Sequence, residues 1–175
     1  MRYVVVRPSV LGLAHSRFCK SISLAVSNSR RLFATACKAT TAEHAVVRIY
    51  RSDNWLLHGK PLEGHTLTIT RIAFSPDDRF VLTVSRDRSW RLFESLDDNG
   101  KSNGLSYFQV LMTQLEGYVP IASDRSHTRI IWDGAWSHAG DVFATASRDK
   151  TVKMISSRYH FQPELSPTTG KNMGG

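Results

Sequence analysis

Acidic residues are missing from the start of this sequence. No aspartate or glutamate precedes Glu43, whereas Arg2, Arg7, Arg17, Lys20, Arg30, Arg31 and Lys38 do. An acid-free start bearing arginine and serine is one signature of mitochondrial import. A repeat that already begins near Cys19 argues against it, because cleavage there would cut a folded unit. A cytoplasmic and nuclear setting is expected instead. Cysteine is scarce as well. Cys19 and Cys37 are the only two, too few for a disulfide framework, and they favour a reducing, intracellular compartment. Neither a C-x-x-C nor an H-x-x-x-H pair occurs, so the spacing supports no zinc site. No metal and no cofactor are expected. Runs of about 18 or more apolar residues are also absent, which excludes a membrane-spanning helix.

What is present is a chain of 175 residues, 41% hydrophobic and 22% charged, the make-up of a globular domain. The net charge of +8 favours acidic partners such as RNA, anionic membranes or acidic protein faces.

Internal repetition organises the sequence. The segment from Gly64 to Phe93 matches the segment from Ser126 to Ile155 without a gap. His65 answers His127, Thr66 answers Thr128, Ala73 answers Ala135, and Phe74 answers Trp136. The tightest match sets Ser85-Arg86-Asp87 against Ser147-Arg148-Asp149. A weaker copy lies upstream. Ala25-Val26-Ser27-Asn28 answers Ala73-Phe74-Ser75-Pro76, and Val47 to Tyr50 answers Trp90 to Phe93. This copy carries extra residues between Cys37 and Val46 where the others have a short turn.

Each copy reads as short strands. Thr68 to Phe74 is rich in β-branched residues and alternates in pattern. Ser75-Pro76-Asp77-Asp78 has turn chemistry. Phe80 to Ser85 is a second apolar run, Arg86-Asp87-Arg88 a second turn, and Trp90 to Phe93 a third strand. A fourth strand is predicted at Trp55 to Leu57 in the first copy and at Tyr107 to Met112 in the second. Four short antiparallel strands per copy describe a propeller blade. The Glu94 to Ser106 stretch, rich in Gly, Ser, Asn and Asp, reads as a surface loop that lengthens the spacing between the two clear copies. The predicted fold is all-β, a partial β-propeller of about three four-stranded blades that does not close a ring. Its divisions are a poorly matched segment 1–17, a degenerate blade 18–60, a blade 61–113, a partial blade 114–155 and a poorly matched tail 156–175.

Gly64-His65, Phe74-Ser75-Pro76-Asp77, Ser85-Arg86-Asp87 and the aromatic ending at Phe93 together resemble the WD-repeat signature. The resemblance extends to one family in particular. Ala36-Cys37-Lys38-Ala39 with its Glu43-His44-Ala45 insertion, Ser85 to Trp90, and Arg129-Ile130-Ile131-Trp132 closely resemble part of the carboxy-terminal propeller of the second-subunit family of the Elongator complex. It covers roughly Phe18 to Ile155. That family forms a scaffold of two seven-bladed propellers. The resemblance implies partners in the catalytic radical-SAM/acetyltransferase subunit and the large scaffold subunit, and a part in tRNA wobble-uridine modification. It implies protein binding without catalysis, with a tRNA contact conceivable and neither a membrane nor a small-molecule substrate expected. The usual Trp-Asp ending is replaced by Phe93-Glu94 in one copy and by Ile155-Ser156 in the other, and Ser126-His127 replaces the opening Gly-His.

Some residues invite other readings. His65, Ser85 and Asp87, like His127, Ser147 and Asp149, carry the side chains of a hydrolase triad. Their repetition argues for a structural blade network, and neither serine lies in a G-x-S-x-G elbow. Cys37 occupies the position of Ser85 and reads as a small buried residue. Trp90, Trp132 and Trp136 have the chemistry to stack on bases. Trp90 and Trp136 sit at core positions of their copies, and Trp132 is uncommitted. The turn cations Arg86, Arg88, Arg148 and Lys150 are the partner-binding candidates, because loops carry function and arginine recognises carboxylate and phosphate. The bland alternative is that each cation only balances its neighbouring aspartate. Two further functions stay open: an adaptor in another complex, and direct RNA binding by the basic face. Unpaired strand edges at both ends predict poor solubility of the chain alone.

Overall fold

The computed structural model describes residues 21–96 and 117–157. Ten strands form three antiparallel sheets, each with its strands in consecutive order. The first sheet holds β1 (Ser21–Val26), β2 (Leu32–Cys37) and β3 (Val47–Arg51). The second holds β4 (Ile69–Phe74), β5 (Phe80–Ser85), β6 (Trp90–Ser95) and β7 (Tyr118–Asp124). The third holds β8 (Ile131–Trp136), β9 (Val142–Ser147) and β10 (Val152–Ser156). The first strands of successive sheets lie side by side, linked by Ser23 Oγ accepting from the Ile72 amide at 3.1 Å and by Thr70 Oγ1 donating to the Ile131 carbonyl at 2.7 Å. The fold is a partial β-propeller, and its three described sheets do not close a ring.

The repeat shows in the backbone. In each sheet the first turn carries one residue at positive φ: Arg30 at 61°, Asp78 at 58° and Gly140 at 74°. Each donates its amide to the carbonyl three residues back, Ser27, Ser75 or Ser137. The turn after β5 and the turn after β9 place Arg88 (φ 76°) and Lys150 (φ 70°) in the same left-handed conformation.

A bulge interrupts the first strand of every sheet, at Ser21/Ser23, Ile69/Arg71 and Ile131/Asp133. The extra residue reverses the alternation of side chains. Ile69 and Ile72 therefore share a face, although strict alternation would put them on opposite ones. Both belong to the core between the first two sheets, with Ala34, Ala36, Val47, Ile49, Phe74, Val81 and Phe93. A second core lies between the second and third sheets. Leu82, Val84, Trp90 and Leu92 meet Ile131 and Phe143 there. All six residues of β5 are buried, because this strand has a core on each side. That is why Phe80 to Ser85 reads as a continuous apolar run.

Three details differ from the sequence reading. The fourth strand of the second sheet is Tyr118–Asp124, which pairs with β6 and lies inside the predicted third blade. The predicted strand at Tyr107 to Met112 lies outside the described residues. In the first sheet the fourth strand is reduced to two bridges, Tyr50 with Leu57 and Val47 with Leu62. Cys37 is half-buried at the end of β2 and disulfide-bonded, rather than a buried thiol.

Candidate functional site

The histidine that opens each clear repeat is buried beside the turn that closes its second strand. His65 Nδ1 lies 2.9 Å from Asp87 Oδ2, and its Nε2 lies 2.8 Å from Thr83 Oγ1. The same carboxylate accepts from the Thr66 amide at 2.9 Å and from the Ser89 hydroxyl at 2.6 Å. The third sheet repeats the set. His127 Nδ1 is 2.8 Å from Asp149 Oδ2 and its Nε2 is 2.9 Å from Thr145 Oγ1. Thr128 and Thr151 replace Thr66 and Ser89 as donors. With the carboxylate facing Nδ1, that nitrogen donates to it, and Nε2 meets the threonine hydroxyl.

These corners change the acidity of their carboxylates. Burial pushes Asp87 up, but the bonds from His65, Ser89 and the Thr66 amide outweigh it and hold the carboxyl well below the usual range. Asp149 is lowered chiefly by the Thr151 hydroxyl, against the effect of burial and with help from His127.

Ser85 and Ser147 have a different part from the one a triad would give them. Ser85 Oγ donates to the Leu67 and Thr68 carbonyls at 3.0 Å and accepts from the Asp87 amide. Ser147 does the same with Arg129, Ile130 and Asp149. Neither touches its histidine. The hydroxyls that meet Nε2, Thr83 and Thr145, are fully buried, while Ser89 and Thr151 lie 3.2 Å from Nδ1 and are bound to the aspartates. The string Gly100 to Gly104 has elbow spacing but lies between β6 and β7, outside the described residues. The corners tie the opening histidine of each repeat to the second strand and to the turn after it. Thr83 and Thr145 were missed in the sequence, although both repeats carry threonine at that position.

The replaced signature residues are exchanged in pairs. Gly64 sits at φ 117°, and a Cβ there would lie 2.6 Å from the Arg91 guanidinium, so this position requires glycine. In the third sheet Ser126 takes its place, and Lys153 replaces Arg91 and donates to the Ser126 carbonyl. Glu94, which replaces the usual aspartate, is buried and accepts two bonds from Arg79 at 3.0 and 2.6 Å. Ser156 and Asp141 stand at the matching positions of the third sheet.

Arg86, Arg88, Arg148 and Lys150 are exposed, on equivalent turns at one end of neighbouring sheets. Asp87 and Asp149 are engaged by histidine and hydroxyls. None of the four cations pairs with a carboxylate among the described residues. Arg88 Nη1 reaches only the Thr128 carbonyl, at 3.4 Å. Trp90 and Trp136 pack in the second core, with Trp90 against Phe143 at 5.1 Å, whereas Trp132 is exposed.

The family described as WD domain, G-beta repeat matches residues 57–94 and 118–156. Over these residues the chain carries WD repeats. Each matched stretch begins at the outer edge of one sheet and ends on the third strand of the next, so sequence repeat and sheet are out of step by one strand. This WD-repeat chain also closely resembles part of Elongator complex protein 2 of several species. It is 43% identical over 131 residues to that of Schizosaccharomyces pombe, covering 74% of this chain and 15% of the relative. For Saccharomyces cerevisiae the identity is 41% over 134 residues, 75% of this chain and 15% of the relative. For Homo sapiens it is 36% over 141 residues, 81% and 16%. The chain thus spans about 15% of the length of the relatives first named.

Proposed function

We propose that this chain is a non-catalytic protein-binding scaffold, a piece of an Elongator second subunit that supports tRNA wobble-uridine modification in the cytoplasm and nucleus. Identity of 43% over 131 residues carries the reading. Its partners are then the radical-SAM/acetyltransferase subunit and the large scaffold subunit. The corners support a binding role over catalysis, since Ser85 and Ser147 are bonded to backbone rather than to histidine and the Ser89 and Thr151 hydroxyls are held by the aspartates. The four turn cations are the proposed contact, because their own aspartates are engaged elsewhere.

The test is Arg86→Glu combined with Arg148→Glu. Both positions are exposed, so native stability is expected, with weakened capture of Elongator subunits. Unchanged capture by a stably folded double variant overturns the assignment of these turns.

A second reading rests on the same unpaired cations: direct RNA binding. It requires affinity for tRNA to fall steeply with salt, by about one counterion for each phosphate contact. A salt-independent affinity, or none, removes it.

A further inference from the structure

The turn between the second and third strands closes a histidine corner in two sheets and is replaced by something larger in the first. Lys38 to Val46 stands where the others have Arg86 to Ser89 and Arg148 to Thr151. The strand registers agree up to that point, with Ser21 opposite Cys37 and Ile69 opposite Ser85. Lys38 therefore answers Arg86, and Ala39 answers Asp87. With alanine there, the first sheet has no carboxylate at the place where the other two engage a histidine. A different device fixes the root of the insertion. The Ala39 amide donates to Thr68 Oγ1 at 3.1 Å, and that hydroxyl donates to the Ala39 carbonyl at 2.7 Å. Ala39, Ala45 and Val46 are buried, whereas every residue from Thr40 to His44 is exposed. This exposed stretch is shaped into one 3-10 turn (Ala42–His44), with the Ala45 amide closing on the Ala42 carbonyl at 3.0 Å and Thr41 Oγ1 2.8 Å from His44 Nδ1. The insertion thus buries its ends and displays its middle, which adds nothing to the core. Ordered surface loops longer than a connection needs commonly serve binding.

Its charge says what it meets. The Thr68 carbonyl accepts from the Arg86 amide at 3.0 Å, so the root of the insertion and the cation turn of the second sheet hang on one residue. Both stand at strand ends, not on the sheet faces that a neighbouring sheet covers. Lys38, Glu43 and Arg86 are all exposed, and no described cation pairs with Glu43. A carboxylate set beside cations repels a polyanion such as RNA and suits a protein surface that carries both signs. We propose that this end of the chain docks a protein segment of mixed charge, with acidic side chains meeting Lys38 and Arg86, a basic one meeting Glu43, and the Thr40 to His44 turn seated against it. The turn is already ordered, which lowers the cost of docking. The inference rests on the scaffold reading, because the segment is taken to belong to a subunit of the complex named there.

The test is capture of the radical-SAM/acetyltransferase subunit and the large scaffold subunit by the full chain at about 0.1 M salt, where charge contacts still count. Capture by the wild type tests the scaffold reading, and the variants test this surface. Glu43→Arg sets like charges against each other and should weaken capture by about tenfold. Glu43→Arg combined with Lys38→Glu keeps the wild-type net charge but inverts the pattern, so capture should stay weak. Both positions are exposed, so thermal melts followed by circular dichroism should match the wild type. If a reversal lowers the melt, Glu43→Gln takes its place, with about twofold weaker capture expected. Unchanged or stronger capture by a folded Glu43 variant overturns the inference, and tighter tRNA binding by that same variant assigns this end to RNA. A double variant that captures as well as the wild type also overturns it, since only net charge is then being read. A wild type that captures neither subunit removes the scaffold reading and this inference with it.

Discussion

At the scale of single residues, the hydroxyl that matters is not the one that catches the eye. Ser85 and Ser147 stand in the repeated Ser-Arg-Asp string, but Thr83 and Thr145 close the histidine corners. Thr83→Val keeps the shape and removes the partner of a buried His65 nitrogen. The expected loss is roughly 1–3 kcal/mol, the cost of an unsatisfied buried polar group. Thr35 is the equivalent position on β2 and makes no described contact with histidine, so Thr35→Val should cost much less in the same urea titration. Equal effects would remove the special role given to Thr83.

The lowered acidity of Asp87 and Asp149 sets a pH dependence of known sign. Both carboxyls ionise more readily folded than unfolded. The stability they contribute is complete above about pH 4, the ordinary aspartate range, and is lost as pH falls toward the folded values. Melting temperature followed downward from neutral pH should decline below about 4. Asp87→Asn should flatten that decline. An unaltered slope in the variant would show that the acid sensitivity originates elsewhere.

At the scale of strands and sheets, the bulges and the sheet junctions are the governing features. Gly134 on β8 lies against the second sheet so closely that a Cβ would sit 3.1 Å from Val84 Cγ1 and 3.2 Å from Leu82 Cδ2. Gly134→Val must separate the sheets or displace those side chains, at a cost of about 1–3 kcal/mol. Ala135, the next residue, is exposed on the opposite face, and Ala135→Val should change the urea midpoint little. A Gly134→Val chain with an unshifted midpoint would contradict the packing described for β8. The bulges explain why alternation alone misassigns Ile69. The pleat is read with one residue too few until the pairing of β4 with β5 is known.

At the scale of the molecule, the charged turns make binding sensitive to salt. Going from about 0.1 M to about 1 M shortens the screening length from about 10 Å to about 3 Å. Any contact made by Arg86, Arg88, Arg148 and Lys150 with an acidic partner should weaken over that range. β10 lacks a fourth strand among the described residues, and on β3 two bridges stand in for one.

The repeat, the strand runs at Phe80 to Ser85 and Trp90 to Phe93, the His-Asp pairing across each turn and the WD-repeat relationship are all local or periodic, and the sequence alone was sufficient for them. Residue type at a fixed offset carries that information. Three things required the folded chain. Thr83 was chosen over Ser85 because the histidine's second nitrogen points along the strand, a direction no spacing encodes. Tyr118–Asp124 joined the second sheet because the open edge of β6 accepts it, which depends on where a long connection returns. Leu24, Val26, Val152 and Met154 became exposed because burial belongs to a pair of sheets. An apolar pattern states which face wants cover, and only the tertiary arrangement decides whether a neighbour is there.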